Sequence, residues 1–398
     1  MAATASRPPR LPRAIWALGI VSLLMDVSSE LIHSLLPVFM VTTLGSSMLV
    51  VGLVEGAAEA TALITKVFSG VLSDWLGRRK PLAVLGYGLG AASKPLFALA
   101  TTSGLVLGAR LADRVGKGIR GAPRDALVAD IAPPAMRGAA FGLRQALDTV
   151  GAFLGPLLAI GLMLLWTNDF RAVFWVAVIP AVLSVAVLVF GVREPEPQAT
   201  ERRSNPISKA NLRRLPPAYW AVVAIGAVFT LARCSEAFLV LRAQQGGLAI
   251  AWAPLVLIAM NVVYAACAYP FGRLADRVDR TRLLAGGLLV LVLADLLLAA
   301  ADRGPLLWAG ITLWGLHMAM TQGLLSAMVA DSAPAALRGT AFGMFNLASG
   351  LALLAASAVA GWLWDARGPA VTFLASAVFS SLALAGLVLR RQHARAGA

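Results

Sequence analysis

Long apolar stretches, separated by short polar segments, follow one another along the whole chain. Each is about twenty residues long, which is the length that an α-helix needs to cross a lipid bilayer. Alternation of polar and apolar positions is weak, which argues against a membrane β-barrel. The pattern therefore predicts an all-α membrane protein with twelve transmembrane helices. The predicted spans cover residues 15–40, 48–72, 81–100, 104–127, 138–165, 171–191, 217–240, 250–274, 282–301, 305–329, 339–362 and 370–389.

A polar, proline-rich segment separates the first six spans from the last six. Residues 193–216 contain four prolines among arginine, glutamate and serine, and such a composition cannot form a membrane helix. The predicted domains are an N-terminal six-helix bundle at residues 1–192, a cytoplasmic linker at residues 193–216 and a C-terminal six-helix bundle at residues 217–398.

An internal repeat relates the two halves of the chain. Residues 128–143 and 329–344 are identical at 11 of 16 positions, at a separation of 201 residues. Ser29 and Glu30 match Ser235 and Glu236 more weakly. Six spans therefore repeat as six spans in the same orientation. This predicts two bundles related by a pseudo-twofold axis along the membrane normal, with a binding site between them.

Composition narrows the class of function. Of the 398 residues, 59% are hydrophobic and 14% are charged, which excludes a soluble enzyme, a disordered protein and a disulfide scaffold. Histidine and cysteine form no cluster, so neither a disulfide framework nor a metal site is predicted. The chain contains no phosphate-binding loop. We therefore predict a protein that is not an enzyme, has no cofactor and draws its energy from a proton gradient.

The net charge of +14 is distributed unevenly between the segments that join the spans. One side of the membrane receives 21 of the 34 lysines and arginines. The other side receives only Arg171, Arg242, Arg303 and Arg367. The positive-inside rule places both termini in the cytoplasm of a multi-pass protein of the cell (inner) membrane. The charge therefore indicates orientation and not nucleic-acid binding. The predicted partners are lipid, protons and a small-molecule substrate, and the predicted state is a monomer.

A loop motif between spans 2 and 3 resembles that of a known family. Residues 70–80 read G-x-L-x-D-x-x-G-R-R-K, and a degenerate copy follows at residues 272–282. The motif and its repeat are similar to the loop signature of the major facilitator superfamily, and the resemblance extends over essentially the whole chain. It implies a secondary transporter that works by alternating access, with an unspecified substrate.

The resemblance also implies a cytoplasmic gate. In such proteins the motif aspartate faces a helix N-terminus in the other half, which stabilises a carboxylate. The motif arginine pairs with the acid that ends span 4. The alternative is that these residues only anchor loops. The predicted gate residues are Gly70, Asp74, Arg78 and Asp130, with Asp276, Arg280 and Asp331 in the second half.

Ionisable residues are concentrated in spans 1–5, where they are costly unless they face the interior of the helix bundle. Helical spacing places Asp26, Glu30 and His33 on one stripe of span 1. A carboxylate shielded from water can exchange a proton near neutral pH. The predicted proton-coupling and substrate-cavity residues are Asp26, Glu30, His33, Glu55, Glu59, Arg110, Asp113, Arg114, Lys117, Arg144 and Asp148.

Span 4 is unusually basic for a membrane helix. Arg110, Arg114, Lys117 and Arg124 share one face, which must meet acids or line water. We predict that acids of spans 1 and 2, together with Asp148, neutralise this face. The alternative is a fully paired network that only fixes helix packing.

Span 5 bears on the direction of transport. Gly142, Gly151, Gly155 and Pro156 are spaced as in the antiporter signature of drug/proton exporters. A generic tight helix crossing would use the same small residues. The favoured function is proton-coupled export of a small organic solute. The alternatives are an organic-anion uniporter, symporter or exchanger that uses the basic face of span 4, and a receptor or scaffold without transport.

Overall fold

The computed structural model of the chain describes residues 11–76, 78–133, 136–194, 212–275, 277–301, 304–334 and 337–396. These residues form helices joined by short turns, and no β-strand occurs among them. The prediction of an all-α protein is therefore confirmed for this part of the chain.

In its described residues, the first half of the chain forms seven helices. Polar side chains define several of their ends: Thr102 accepts a hydrogen bond from the backbone N–H of Leu105, and Asp169 accepts bonds from those of Arg171 and Ala172, as helix N-caps do. The helices are α1 (Arg13–His33), α2 (Leu36–Thr42), α3 (Met48–Leu76), α4 (Lys80–Leu99), α5 (Ser103–Ile131), α6 (Arg137–Leu165) and α7 (Phe170–Gly191).

The second half repeats this order of helices. It contains α8 (Pro217–Leu231), α9 (Ala237–Gln245), a 3-10 turn (Ile250–Trp252), α10 (Leu255–Ala275), α11 (Arg280–Ala300), α12 (Pro305–Ser332), α13 (Arg338–Arg367) and α14 (Pro369–Ala396). The bounds agree with the predicted spans to within a few residues, apart from two interruptions and several longer ends.

The two interruptions correct the prediction that spans 1 and 7 are continuous helices. The first separates α1 from α2 just before Pro37, which lies in the first turn of α2; proline lacks an N–H and disfavours helical conformation in the residue before it. The second separates α8 from α9 at residues 232–236. Here the Ala232 carbonyl accepts a hydrogen bond from Ser376 on α14, at 2.7 Å, outside the ladder of its own helix.

Nine of the described helical stretches are long and apolar enough to cross a membrane. Helix α5 is not among them, although it has 29 residues, because arginine, lysine and aspartate recur along its length. Such groups need partners at membrane depth. The contacts of α5 therefore locate the candidate functional site.

Contacts between helices connect the two halves of the chain. Helix α3 runs along α13, and α6 contacts α10. Glycine permits the close approach of α3 and α13: a Cβ atom on Gly52 would lie 2.1 Å from the carbonyl oxygen of Ser357, and one on Gly361 would lie 2.3 Å from that of Met48. Asp365 at the end of α13 also accepts hydrogen bonds from the backbone N–H groups of Met48 (2.9 Å) and Leu49 (2.8 Å) at the start of α3.

The hydrophobic core differs between the two ends of the molecule. At the end that contains Phe39, a single cluster joins both halves and includes Phe39, Phe238 and Trp364. At the opposite end, which contains Arg79, the core is divided into one cluster from each half. Tyr87 belongs to the first of these and Tyr219 to the second. The Phe39 end is therefore packed shut across the two halves, whereas each half has its own core at the Arg79 end.

Candidate functional site

A cavity of about 310 Å³ lies between the two halves, beneath the packed Phe39 end. We call it the central cavity. Helices α1, α3 and α5 line it on one side, and residues 233–236, between α8 and α9, line it on the other. Its acidic, basic and histidine lining residues are Glu30, His33, Glu55, Glu59, Arg110, Arg114, Lys117, Arg233 and Glu236.

The basic face of α5 is paired with acids of α3. Arg110 Nη2 lies 2.5 Å from Glu55 Oε2, and Arg114 Nη2 lies 3.1 Å from Glu59 Oε1. The two acids are four residues apart, as are the two arginines, so each pair occupies successive turns of both helices. The prediction that acids of span 2 neutralise this face agrees with these contacts.

Behind these pairs is a second, fully buried ion pair. Lys94 on α4 and Asp113 on α5 are 0% and 1% exposed, and Lys94 Nζ lies 2.7 Å from Asp113 Oδ1. Lys94 also donates to the Ser29 hydroxyl on α1, at 3.0 Å. Asp113 therefore does not face the substrate space. It ties α5 to α4 and α1, because a buried charge requires a partner.

His33 joins the buried pair to the central cavity. Its Nδ1 lies 3.3 Å from Arg114 Nη2 and 3.8 Å from Glu30 Oε1, and its Nε2 lies 3.4 Å from Asp113 Oδ2. Arginine can only donate, so the bond from Arg114 requires the His33 Nδ1 to accept. The neutral ring then carries its proton on Nε2, facing Asp113.

A larger cavity of about 1070 Å³ adjoins the central cavity on the side of the Arg79 end. Glu30, Glu59 and Lys117 line both cavities, so these three side chains lie where the two cavities adjoin. Asp26 lines the larger cavity. Within the described residues, Asp26 and Lys117 have no hydrogen bond or ion pair through their side chains.

Asp148 contacts α5, as predicted, and also its own helix. Its Oδ2 lies 3.9 Å from Arg124 Nη1 on α5 and 2.5 Å from Arg144 Nη1 on α6. Arg124 also contacts its neighbour Asp125 at 3.1 Å and the Ser22 hydroxyl at 3.1 Å. The closer contact with Arg144 has a simple cause: residues four apart on one helix are already within reach of each other.

The glycine motif of span 5 lies directly against the acids of α1. A Cβ atom on Gly151 would lie 3.0 Å from the Cβ of Asp26, and one on Gly155 would lie 2.6 Å from the Cβ of Glu30. Pro156 is buried within α6. Gly142 faces open space instead, so it takes no part in this contact. Two of the three predicted glycines thus set the distance between α6 and the part of α1 that carries Asp26 and Glu30.

The predicted gate residues occupy the Arg79 end. Asp130 Oδ2 pairs with Arg79 Nε at 2.6 Å, whereas the sequence predicts Arg78, which is exposed in the turn before α4. In the second half Arg280 pairs with Asp331. Gly70 and Asp74 lie near the end of α3. The Asp74 side chain and the whole of Asp276 lie outside the described part of the structure.

Two residues of the central cavity are absent from the predicted site. Arg233 lies with its guanidinium carbon 5.3 Å from the centre of the Trp314 ring, and Glu236 lies in the same non-helical segment. The sequence held a signal for each, since Glu236 matches Glu30 in the repeat and Arg233 is a base in the interior of predicted span 7. The described residues contain no group of three or more metal-ligating side chains.

Comparisons with known proteins agree on the family. A family model described as Major Facilitator Superfamily matches residues 18–259 and 238–398. An uncharacterized MFS-type transporter of Methanocaldococcus jannaschii is 34% identical over 387 residues, covering 95% of this chain and 94% of the relative. The inner membrane transport protein YajR of Escherichia coli is 25% identical, covering 93% and 81%. A crystal structure of the nucleoside transporter NupG has a fold similar to this one, with a TM-score of 0.82 at 14% identity and coverage of 94% and 99%.

Proposed function

The chain belongs to the major facilitator superfamily of membrane transporters, which are not enzymes, and from that premise we propose that it exports a small organic solute in exchange for protons. In this proposal α1 with α2, and α8 with α9, each form one span. The chain then has twelve spans in two six-helix bundles around a pseudo-twofold axis. The two bundles rock about the central cavity to expose it alternately to each side.

The observation that carries the proposal is the position of Asp26 and Glu30. Both line the larger cavity, which lies on the Arg79 side of the central cavity, and Glu30 lines the central cavity as well. Their neighbours Glu55 and Glu59 are each bound to an arginine. Asp26 and Glu30 are therefore the carboxyl groups of α1 and α3 that are best placed to exchange protons with water.

The charge distribution supports an inward-open state. The positive-inside rule assigns the Arg79 end to the cytoplasm of the inner membrane, and this is the end at which the core is divided. The packed Phe39 end, with Asp365 bound to the start of α3, would then face outward. Alternating access requires the Asp365 contact to break when the outer side opens.

The contacts of α6 with α1 support antiport. Gly151 and Gly155 hold α6 against the backbone at Asp26 and Glu30, so movement of α6 changes the surroundings of both acids. If the two acids bind protons more tightly in one conformation than in the other, protonation shifts the equilibrium between those conformations and so drives the rocking motion. The glycine spacing shared with drug/proton exporters thus allows α6 to lie close to the two acids of α1.

The organic-anion alternative receives less support from the same site. Its premise is a free basic face on α5, but Arg110 and Arg114 are each paired with a glutamate. The central cavity is lined by four acids (Glu30, Glu55, Glu59, Glu236) and four bases (Arg110, Arg114, Lys117, Arg233). A lining without net charge gives no electrostatic preference for an anion.

Everted membrane vesicles test the proposal. Respiration acidifies their interior, a fluorescent dye reports the pH gradient, and a transported compound dissipates it. We expect at least one member of a panel of small cationic, neutral and anionic organic compounds to do so. Asp26→Asn and Glu30→Gln should abolish the response, because neither amide can carry the proton.

Gly142→Ala is the matched control, since this position faces open space and should leave the response intact. Membrane insertion of each variant is checked by quantifying full-length protein in the vesicles. Normal proton-coupled responses in both acid variants would contradict the assignment of the proton to α1.

A further inference from the structure

Asp295 is a buried carboxyl group that the proposed mechanism does not use. It lies on α11, which packs against α12 and α14, and it has no exposed surface. Its Oδ1 has no hydrogen-bond partner within the described residues. Its Oδ2 lies 2.6 Å from the Ser376 hydroxyl on α14. A carboxylate ion buried with a single neutral hydrogen bond is strongly unfavourable.

The hydrogen bonds around Ser376 require an additional proton. The Ser376 oxygen lies 2.6 Å from Asp295 Oδ2 and 2.7 Å from the carbonyl oxygen of Ala232. A serine hydroxyl carries one proton and a carbonyl oxygen carries none. If Asp295 were ionised, one of these two short oxygen–oxygen contacts would have no proton between its atoms and would be repulsive. Both become hydrogen bonds when Asp295 is a carboxylic acid that donates to Ser376, which in turn donates to Ala232.

The last bond of this chain reaches the central cavity. Ala232 is the first residue after α8, and the four residues that follow it, 233–236, all line the central cavity. A second, apolar cavity of about 50 Å³ is lined by Ala232, Cys234 and Ser376. Cys234 lines both cavities. The proton on Asp295 is therefore two hydrogen bonds from the start of the segment that carries Arg233 and Glu236.

Few other titratable groups face Asp295. Cys234 shares the lining of the small apolar cavity with Ser376, and its neighbours Arg233 and Glu236 line the central cavity. From α14 the polar group that faces Asp295 is Ser376. His317 on α12 also contacts α11, but at the Gly287 carbonyl, 2.8 Å away, two helical turns from Asp295. The hydrogen-bond chain thus dominates the surroundings of this carboxyl group.

We propose that Asp295 is a proton-binding site of the C-terminal half, whose proton holds residues 232–236 in place through Ser376. When Asp295 releases its proton to water, Ser376 turns its own proton to the new carboxylate, and the Ala232 carbonyl loses its hydrogen bond. The segment that carries Arg233 and Glu236 is then released from α14. The link to transport rests on the proposed function, but the proton site itself does not.

Infrared spectroscopy of the purified full chain tests the proton. The difference spectrum between the wild type and Asp295→Asn at pH 7 should contain the carbonyl-stretch band of one protonated carboxylic acid, which shifts in heavy water. Ser376→Ala should keep the band and move its frequency, because the acid loses its acceptor. A difference spectrum that shows carboxylate bands instead would overturn the proposal.

Labelling of Cys234 tests the relay without any substrate. In a Cys267→Ser background, Ser376→Ala should raise the rate of thiol labelling roughly five-fold, the equivalent of one hydrogen bond. Asp295→Asn keeps a donor toward Ser376 and should label at the wild-type rate at neutral pH. Equal rates of Cys234 labelling in the background protein, Ser376→Ala and Asp295→Asn would refute the coupling between Asp295 and residues 232–236. Neither measurement depends on transport, so these results and those with vesicles stand or fall separately.

Discussion

Lys94 and Asp295 occupy corresponding places in the two halves of the chain. They are 201 residues apart (295 − 94), which is the interval that relates residues 128–143 to 329–344. The structure supports the match: Ala100 is the C-cap of α4, which carries Lys94, and Ala301, 201 residues later, is the C-cap of α11, which carries Asp295. Both Lys94 and Asp295 have no exposed surface.

Their surroundings differ in kind. Lys94 is bound to the ionised network of Asp113 and Ser29, which continues through His33 to the acids of the cavity. Asp295 is bound only to a hydroxyl, and through it to the backbone at the end of α8. The repeat therefore preserves the helices and the depth of the residue but not its chemistry. In one half a buried ionisable group is compensated by charge, and in the other by a neutral hydrogen-bond chain.

The largest expected effect is that of removing the Lys94 charge. Lys94→Met leaves Asp113 buried without its counter-ion, which should lower the free energy of unfolding by about 3–5 kcal/mol. The measurement is unfolding of the purified protein in a denaturing-detergent titration. Asp295→Asn, at the matched position, should change the free energy of unfolding by less than about 1 kcal/mol, because the native group is already neutral.

A double variant sharpens this comparison. Lys94→Met combined with Asp113→Asn removes both charges, so it should be markedly more stable than Lys94→Met alone. If Lys94→Met and Asp295→Asn were equally destabilised, the two positions would not differ in charge compensation.

A smaller effect is expected where α6 meets α1. Gly155→Ala places a Cβ 2.6 Å from that of Glu30, so the helices must separate, at a cost of about 1–3 kcal/mol in the same unfolding assay. Proton-coupled responses in vesicles should weaken in parallel. The corresponding residue of the second half, Ala356 (155 + 201), already carries a Cβ.

Gly142→Ala is again the reference, since open space surrounds this position and alanine favours helix. Equal loss of stability in Gly142→Ala and Gly155→Ala would mean that the close contact with α1 is not the cause.

The smallest effect concerns the closed Phe39 end. Asp365→Ala removes two hydrogen bonds to the start of α3, and the loss of a helix cap costs about 1 kcal/mol. If the closed state is destabilised by about 1 kcal/mol relative to the open state, the Phe39 end should be open about five times more often. Labelling of an Ala251→Cys probe by an impermeant thiol reagent, with Cys234 and Cys267 replaced by serine, measures the change. Gly142→Ala, at a position that faces open space, should leave it unaltered.

The order of the helices was predictable because it depends on local sequence. Runs of about twenty apolar residues have few alternatives in a bilayer, and the bounds of α4, α7 and α11 lie within a few residues of the predicted spans. The breaks at α1–α2 and at residues 232–236 were not predicted. The second of them depends on Ser376, which is more than a hundred residues away in the chain.

The candidate site was predictable in its members and less so in its contacts. Helical spacing placed the acids and arginines of α1, α3 and α5 on shared faces. Of these residues, Glu30, Glu55, Glu59, Arg110 and Arg114 do line one cavity. The pairing of Asp130 with Arg79 instead of Arg78 was not predicted, and neither was the closer contact of Asp148 with Arg144 on its own helix. Side chains on adjacent positions reach similar places, so angstrom differences in helix distance select the partner.

Sequence alone therefore determined that the chain is a set of membrane helices in two related halves, with its ionisable groups concentrated in the first. These properties follow from composition and from the period of the helix. Tertiary structure decided which end is packed shut, which charges are paired, and that Asp295 has a hydroxyl for its partner. Those outcomes depend on distances between helices, and no local pattern in a sequence specifies such distances.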